Sequence, residues 1–161
     1  MIIDNTKERC IICDIDGTVA LMKGKRTPFE YHKAFEDEPN KPVIHVLLAT
    51  VRYYARLSSM PIHIIFTSAR ENVVFKDSKF KDVAELTEIW VNKHIGESEF
   101  NHFIFRKAGD YRKDAFVKFE IGKEIMEEYN VLCVFDDRNQ VVDMWRNGLG
   151  LQCFQVADGN F

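Results

Sequence analysis

Short, continuous apolar runs alternate along this chain with longer segments of helical spacing. Arg9–Cys13 reads RCIIC, a buried strand that gives way to Asp14-Ile15-Asp16-Gly17-Thr18. A polar stretch follows, punctuated by Gly24, Pro28, Pro39 and Pro42, and it is predicted as loop. Val43–Ser59 carries Val46, Leu47, Ala49, Val51, Tyr54 and Leu57, which is helical spacing. Ile62–Phe66 predicts a second strand, ending in Thr67-Ser68-Ala69-Arg70. Val83–Ile95 is predicted helical through Leu86, Ile89, Trp90 and Val91, His102–Phe105 a third strand, and Lys113–Tyr129 a long helix. Val131–Phe135 predicts a fourth strand that runs into Asp136-Asp137-Arg138. A short helix at Val141–Asn147 and a fifth strand at Leu151–Val156 complete the pattern.

Buried strands alternating with helices predict βαβ units, hence an α/β fold with a parallel sheet covered on both faces. Ligands of such sheets gather outside the carboxyl ends of the strands. The strand ends are therefore where chemistry is expected, and three of them carry unusual polar sequences.

Length adds that 161 residues make one domain with a core that needs no disulfide staples. The 22 Lys+Arg against 25 Asp+Glu give a net charge of -3, which excludes a globally basic DNA-coating protein. No apolar run approaches the roughly 20 residues of a membrane span. The N-terminus shows no basic-then-apolar signal pattern, so a cytoplasmic soluble domain is the expectation. Cys10, Cys13, Cys133 and Cys153 each lie in an apolar stretch, as reduced core thiols do. Cys10 and Cys13, three apart on one strand, point to opposite faces, which argues against a redox or zinc pair. The histidines at 32, 45, 63, 94 and 102 show no ligand spacing and are read as core or surface residues.

Asp14 and Asp16, two apart where the chain leaves the sheet, can point the same way, and Gly17 permits the sharp exit. Such a pair supplies hard oxygen ligands for Mg²⁺, or a nucleophile beside an acid/base. A solvated turn is the plainer reading of the same letters. Asp136 and Asp137 repel one another unless a cation sits with them. If the first and fourth predicted strands are neighbours, Asp14, Asp16 and Asp137 converge into a partial oxygen cage. The alternative is Asp137 as a helix cap. Ser68 and Arg70 suit an anionic oxygen, or form a cap and a surface arginine. Asp114 and Lys118, four apart on one helix face, make either a surface ion pair or part of a phosphate site.

These motifs stand in a fixed order at successive strand ends, and in that order the chain resembles the haloacid dehalogenase (HAD) superfamily of aspartate-nucleophile phosphatases. Asp14-Ile15-Asp16-Gly17-Thr18 matches the first family motif, Ser68 the second, Lys118 (or Lys113) the third and Asp136-Asp137 the fourth. Residues 109–114 (GDYRKD), 136–146 (DDRNQVVDMWR) and 155–161 (QVADGNF) narrow the resemblance to the phosphatase domains of phage polynucleotide kinase/3'-phosphatases. The resemblance implies a Rossmann-like three-layer fold with a mostly parallel five-stranded sheet and a minimal cap. It implies Asp14 as nucleophile, Asp16 as acid and base, and Ser68 and Lys118 as stabilisers of the phosphoryl group. Mg²⁺ would be held by Asp14, the carbonyl of Asp16 and Asp137, with Asp136 supporting. The acid–base role requires the pKa of Asp16 to be raised relative to metal-bound Asp14. The resemblance implies Thr18, Arg26, Arg70, Arg106, Asp114 and Arg138 as the substrate-binding positions. Two departures stand out: Ala69 replaces an expected glycine, and no GxxxxGK[ST] motif occurs, so no 5'-kinase activity is expected of this chain. It reads as a phosphatase domain standing without its kinase.

Residues 23–33 set four cations against Glu30, and residues 106–118 set five against Asp110 and Asp114. With Phe29, the first of these loops suits a phosphodiester backbone and a stacked base. The expected substrate is a 3'-phosphorylated DNA or RNA end, with a separate polynucleotide kinase or RNA ligase as partner. A nucleotidase or small-metabolite phosphatase is the rival enzyme, and an end-binding repair subunit the rival outside enzymes.

Overall fold

Every apolar run predicted as a strand is one, and each extends beyond its hydrophobic centre. The computed structural model describes residues 4, 6–58 and 60–160. In it β1 (Glu8–Asp14) is followed by β2 (Ala20–Leu21), β3 (Glu38–Pro39), α1 (Lys41–Ser58) and β4 (Ile62–Glu71). Then come α2 (Val83–His94), β5 (Asn101–Arg106), α3 (Asp114–Glu128), β6 (Tyr129–Arg138), α4 (Asn139–Asp143) and β7 (Cys153–Gly159). The predicted helix end at Ser59, and Phe161 of the C-terminal motif, lie outside the described residues.

β4 continues through Thr67, Ser68 and Arg70 because these polar side chains are buried there, not solvated. The segment predicted as loop contains more order than its glycines and prolines suggested. Ala20 and Leu21 pair antiparallel with Pro39 and Glu38, and a 3-10 helix spans Tyr31–Glu36. Together they form the small cover over the sheet end. The predicted Val141–Asn147 helix is α4 followed by a π-helical turn at Met144–Gly148.

Five strands form one parallel sheet in the order β5-β4-β1-β6-β7. Alternate side chains of β1 face opposite layers. Ile11 and Cys13 pack with Ile44 and Leu47 of α1 and Trp90 and Val91 of α2. Cys10 and Ile12 pack with Val117, Ile121 and Ile125 of α3 and with Val141 and Trp145. The three-layer α/β expectation holds, and the described cysteines are free and buried on both faces as expected. The chain starts at the centre of the sheet, builds outward to β5 and then returns to β6. The crevice where the order reverses lies at the end of β1, the position where such sheets bind ligands.

At the other end of the sheet His63 and His102 stack with ring centroids 5.0 Å apart. They share a hydrogen bond of 2.7 Å between Nδ1 of His63 and Nε2 of His102. Adjacent strands make this pair, so sequence spacing gave no sign of it. Among the described residues no helix is long and apolar enough to cross a membrane.

Candidate active site

The parallel pairing of β1 with β4 and β6 carries three polar strand ends to one place. β1 delivers Asp14, and the chain turns at once, with Gly17 N donating to Ala20 O at 2.9 Å. Gly17 has φ +83°, and a Cβ there would lie 2.0 Å from Oδ2 of Asp137. Only glycine lets the turn pass so close to the end of β6.

Asp14, Asp136 and Asp137 are buried, and their carboxylate oxygens lie within 4.8 Å of one another. Lys118 reaches into this cluster from α3. Its Nζ, on a side chain 3% exposed, donates to Asp14 Oδ1 at 2.5 Å and to Asp136 Oδ2 at 2.8 Å. Thr18 Oγ1 donates to the other Asp14 oxygen at 2.9 Å. Asp136 also accepts from Trp145 Nε1 at 3.0 Å and from the amide of Arg138 at 3.1 Å. Gly122 makes room for that tryptophan, since a Cβ there would lie 2.5 Å from its ring.

Burial pushes the Asp14 carboxyl well above its ordinary range; Lys118 opposes this, and Asp136 and Asp137 add to it. Burial, then Asp136, pushes Asp137 up to about 6. Lys118 is held protonated because Asp136 and Asp14 outweigh its own burial. Three carboxylates facing one ammonium leave an excess of negative charge, and hard oxygen donors at this spacing suit a divalent cation such as Mg²⁺. The donor set fits the metal that the sequence implied.

Asp16 stands apart from this cluster. It accepts from Arg70 Nε at 2.7 Å, Arg70 Nη2 at 2.7 Å and Arg26 Nη2 at 2.8 Å. Burial raises its pKa, but Arg70 and then Arg26 outweigh burial and hold it below the ordinary value. The expectation set Asp16 above metal-bound Asp14; within the protein alone the guanidiniums hold Asp16 low. The physical reason is a bidentate guanidinium that no sequence spacing predicts. Ser68 is fully buried behind Asp16, with its Oγ 3.4 Å from Asp16 Oδ2.

Asp37, which the sequence reading missed, anchors the arginines. It accepts from Arg26 Nε at 2.8 Å and from Arg70 Nη2 at 3.2 Å, with its own side chain wholly buried. The signal available for it was an acidic residue beside the Phe35 and Pro39 turn, too weak to single out.

A cleft of about 640 Å³ opens above these groups. Asp14, Asp16, Arg70, Arg106, Asp114, Lys118, Asp137 and Arg138 line it, whereas Thr18, Arg26, Ser68 and Asp136 are buried and outside its lining. Arg26, its side chain 1% exposed, meets the cleft only through Asp16 in this arrangement. Asp114 does not pair with Lys118. It receives Arg106 and Arg138 instead, while Lys118 turns inward. Lys113, the alternative third-motif lysine, is exposed.

The chain is similar to known proteins over nearly its whole length. The family described as the polynucleotide kinase PNKP phosphatase domain matches residues 8–161. A protein of Autographa californica nuclear polyhedrosis virus, described as a bifunctional polynucleotide kinase/RNA ligase, is 30% identical over 140 residues, 86% of this chain and 18% of its own. A solved Pnkp1/Rnl/Hen1 complex contains a chain with TM-score 0.78 and 36% identity, covering 98% of this chain and 49% of that one. A second structure, of the Pnkp1/Rnl/Hen1 RNA repair complex, gives TM-score 0.79 at 35% identity over 100% of this chain and 46% of the other. This chain thus spans half or less of the relatives it matches. The family match over nearly the whole chain, together with solved relatives of the same fold at 35–36% identity, shows that the chain belongs to the HAD-type family of polynucleotide kinase phosphatase domains.

Proposed function

We propose that this chain removes 3'-phosphate from DNA or RNA ends in an Mg²⁺-dependent reaction, through a phosphorylated Asp14. The observation that carries the reading is Asp14 at the floor of a cleft lined by arginines and carboxylates in ion pairs, in a chain of this family. Asp14, Asp137 and the carbonyl of Asp16 would hold the metal with Asp136 behind them. When bound, the metal supplies positive charge to the phosphoryl oxygens.

The chain's own groups account for the rest. Thr18 and Lys118 fix both Asp14 oxygens, so one carboxylate orientation faces the phosphorus. An Asp14 oxygen bonds to phosphorus as the P–O3' bond breaks, and Asp16 gives its proton to the departing sugar oxygen. Asp16 then takes a proton from the water that attacks the aspartyl-phosphate, which releases inorganic phosphate and restores Asp14. A bound phosphate offers Arg70 a competing anion. Each contact Arg70 transfers to it weakens its hold on Asp16 and lets that carboxyl rise toward the pKa a proton donor needs. Arg70, Arg106 and Arg138 wall the site as phosphate-directing cations.

The related chains in RNA-repair complexes support a polynucleotide kinase or RNA ligase as partner. The test compares phosphate release from 3'-phosphorylated oligonucleotides, 5'-phosphorylated oligonucleotides and mononucleotides, with and without Mg²⁺. Release is expected only from the 3' ends with Mg²⁺, and Asp14→Asn is expected to abolish it. Equal rates on mononucleotides would make the chain a general phosphatase, and activity retained by Asp14→Asn would remove the nucleophile assignment.

A further inference from the structure

Phe29 and Tyr111 are the most exposed of the large apolar side chains described, at 82% and 86%, yet both line the cleft above Asp14. They reach it from unrelated segments: Phe29 from the cover between β2 and β3, Tyr111 from the turn between β5 and α3. Neither ring touches another aromatic ring among the described residues. Aromatic side chains are among the largest apolar surfaces a chain can bury, so two held in water at one cleft mouth call for a ligand.

Both are displayed by pinned turns. Glu30 N donates to Thr27 O at 3.2 Å, closing Thr27-Pro28-Phe29-Glu30 with proline at its second position. The Glu30 carboxylate accepts from Thr27 N at 2.8 Å, and Arg26 Nη1 donates to Thr27 O at 3.2 Å. On the other side Arg106 Nη1 donates to the carbonyls flanking Tyr111, Asp110 O at 2.8 Å and Arg112 O at 2.7 Å. Arg112 in turn grips Asp110 and Glu120. The rings are thus presented by ordered backbone, and little ordering entropy opposes a contact with them.

The surroundings select the ligand. Arg70, Arg106, Arg112 and Arg138 line the same cleft, each ion-paired with a carboxylate for which a phosphate is the competing anion, so the chemistry that fits is a flat apolar ring joined to phosphate. We propose that Phe29 and Tyr111 are specificity-determining residues that stack on the terminal nucleobases of a single-stranded polynucleotide end while its phosphate faces Asp14. The proposal rests on the phosphatase reading and adds to it where selectivity for strands over small phosphomonoesters arises. Stacking on a bare ring is indifferent to base identity, so the site prefers unpaired ends without preferring a sequence.

The test uses Phe29→Ala, Tyr111→Ala, the double variant and the conservative Tyr111→Phe. Substrates are a 3'-phosphorylated single-stranded oligonucleotide and the same strand with its two terminal nucleotides abasic. Each alanine is expected to raise KM for the intact strand about tenfold with kcat retained, and to leave the abasic strand unchanged. Tyr111→Phe keeps the ring and is expected to match wild type. Fluorescence anisotropy of both strands in EDTA, without turnover, is expected to show the same tenfold loss of affinity for the intact strand alone. Equal binding by wild type and the double variant, or equal losses on intact and abasic strands, overturns the clamp. Wild type that binds the strands but releases no phosphate in Mg²⁺ overturns only the phosphatase reading.

Discussion

Lys118→Met is the perturbation that weighs most heavily on the electrostatics of the site. The ammonium is buried between Asp14 and Asp136, and methionine keeps much of its length while removing the charge. Breaking a buried ion pair from one side costs about 3–5 kcal/mol, because the partner carboxylates stay behind unpaired. In a domain of this size each kcal/mol lowers Tm by about 2–4 °C, so a fall on the order of 10 °C is expected. The pH dependence identifies the cause. Burial already raises Asp14 above its unfolded value of 3.8, and Lys118 is the group that opposes the rise. Without Lys118 the folded state takes up a proton that the unfolded chain does not hold at the same pH. The penalty is therefore full above the folded-state pKa and fades as pH falls toward the unfolded value. Circular-dichroism melts in EDTA at about pH 7.5 and about pH 5.5 should show the larger gap between variant and wild type at the higher pH. Exposed Lys113→Met is the control and should leave Tm unchanged. A gap that does not vary with pH would refute the electrostatic reasoning and leave Lys118 as packing.

Two further outcomes follow from single contacts. Gly17→Ala combines a φ of +83° with a Cβ placed 2.0 Å from Asp137 Oδ2. A strained backbone of this kind costs about 1–3 kcal/mol. The displaced carboxylate should also raise the Mg²⁺ concentration needed for half-maximal activity, which a metal titration of phosphate release measures. The thiols should be inert, since burial pushes Cys133 and Cys153 up to about 12 and Cys10 and Cys13 well above the ordinary thiol range. Native protein at about pH 8 should give no fast reaction with a disulfide reagent, and guanidinium should release all the cysteines to it.

How much of this was legible in the sequence depends on whether a feature is local or assembled. β1 and β6 could be read because their apolar centres are buried on both faces, and their acidic ends mark where the sheet stops. β4 could be read only as far as Phe66. Beyond it the strand is polar, and Thr67, Ser68 and Arg70 are buried by partners on other elements, which hydrophobicity does not register. Of the two consequences open to the Asp114–Lys118 spacing, the surface ion pair does not form, and Lys118 joins the acidic cluster instead. An exposed i,i+4 pair gains a few tenths of a kcal/mol, whereas Lys118 inside the carboxylate cluster compensates two buried charges. The larger interaction wins, and Asp114 is left to Arg106 and Arg138. The protonation of Asp16 shows the same limit more sharply. Its neighbours in sequence are Ile15 and Gly17, but its pKa is set by Arg26 and Arg70, which β4 and the cover bring within hydrogen-bonding distance. Motif order can locate a carboxylate pair, but the downward shift of Asp16 comes from cations that only the folded chain assembles. Under the proposed function that makes Arg70 the group to follow, because the anion it grips, Asp16 or an incoming phosphate, would set whether Asp16 can act as an acid.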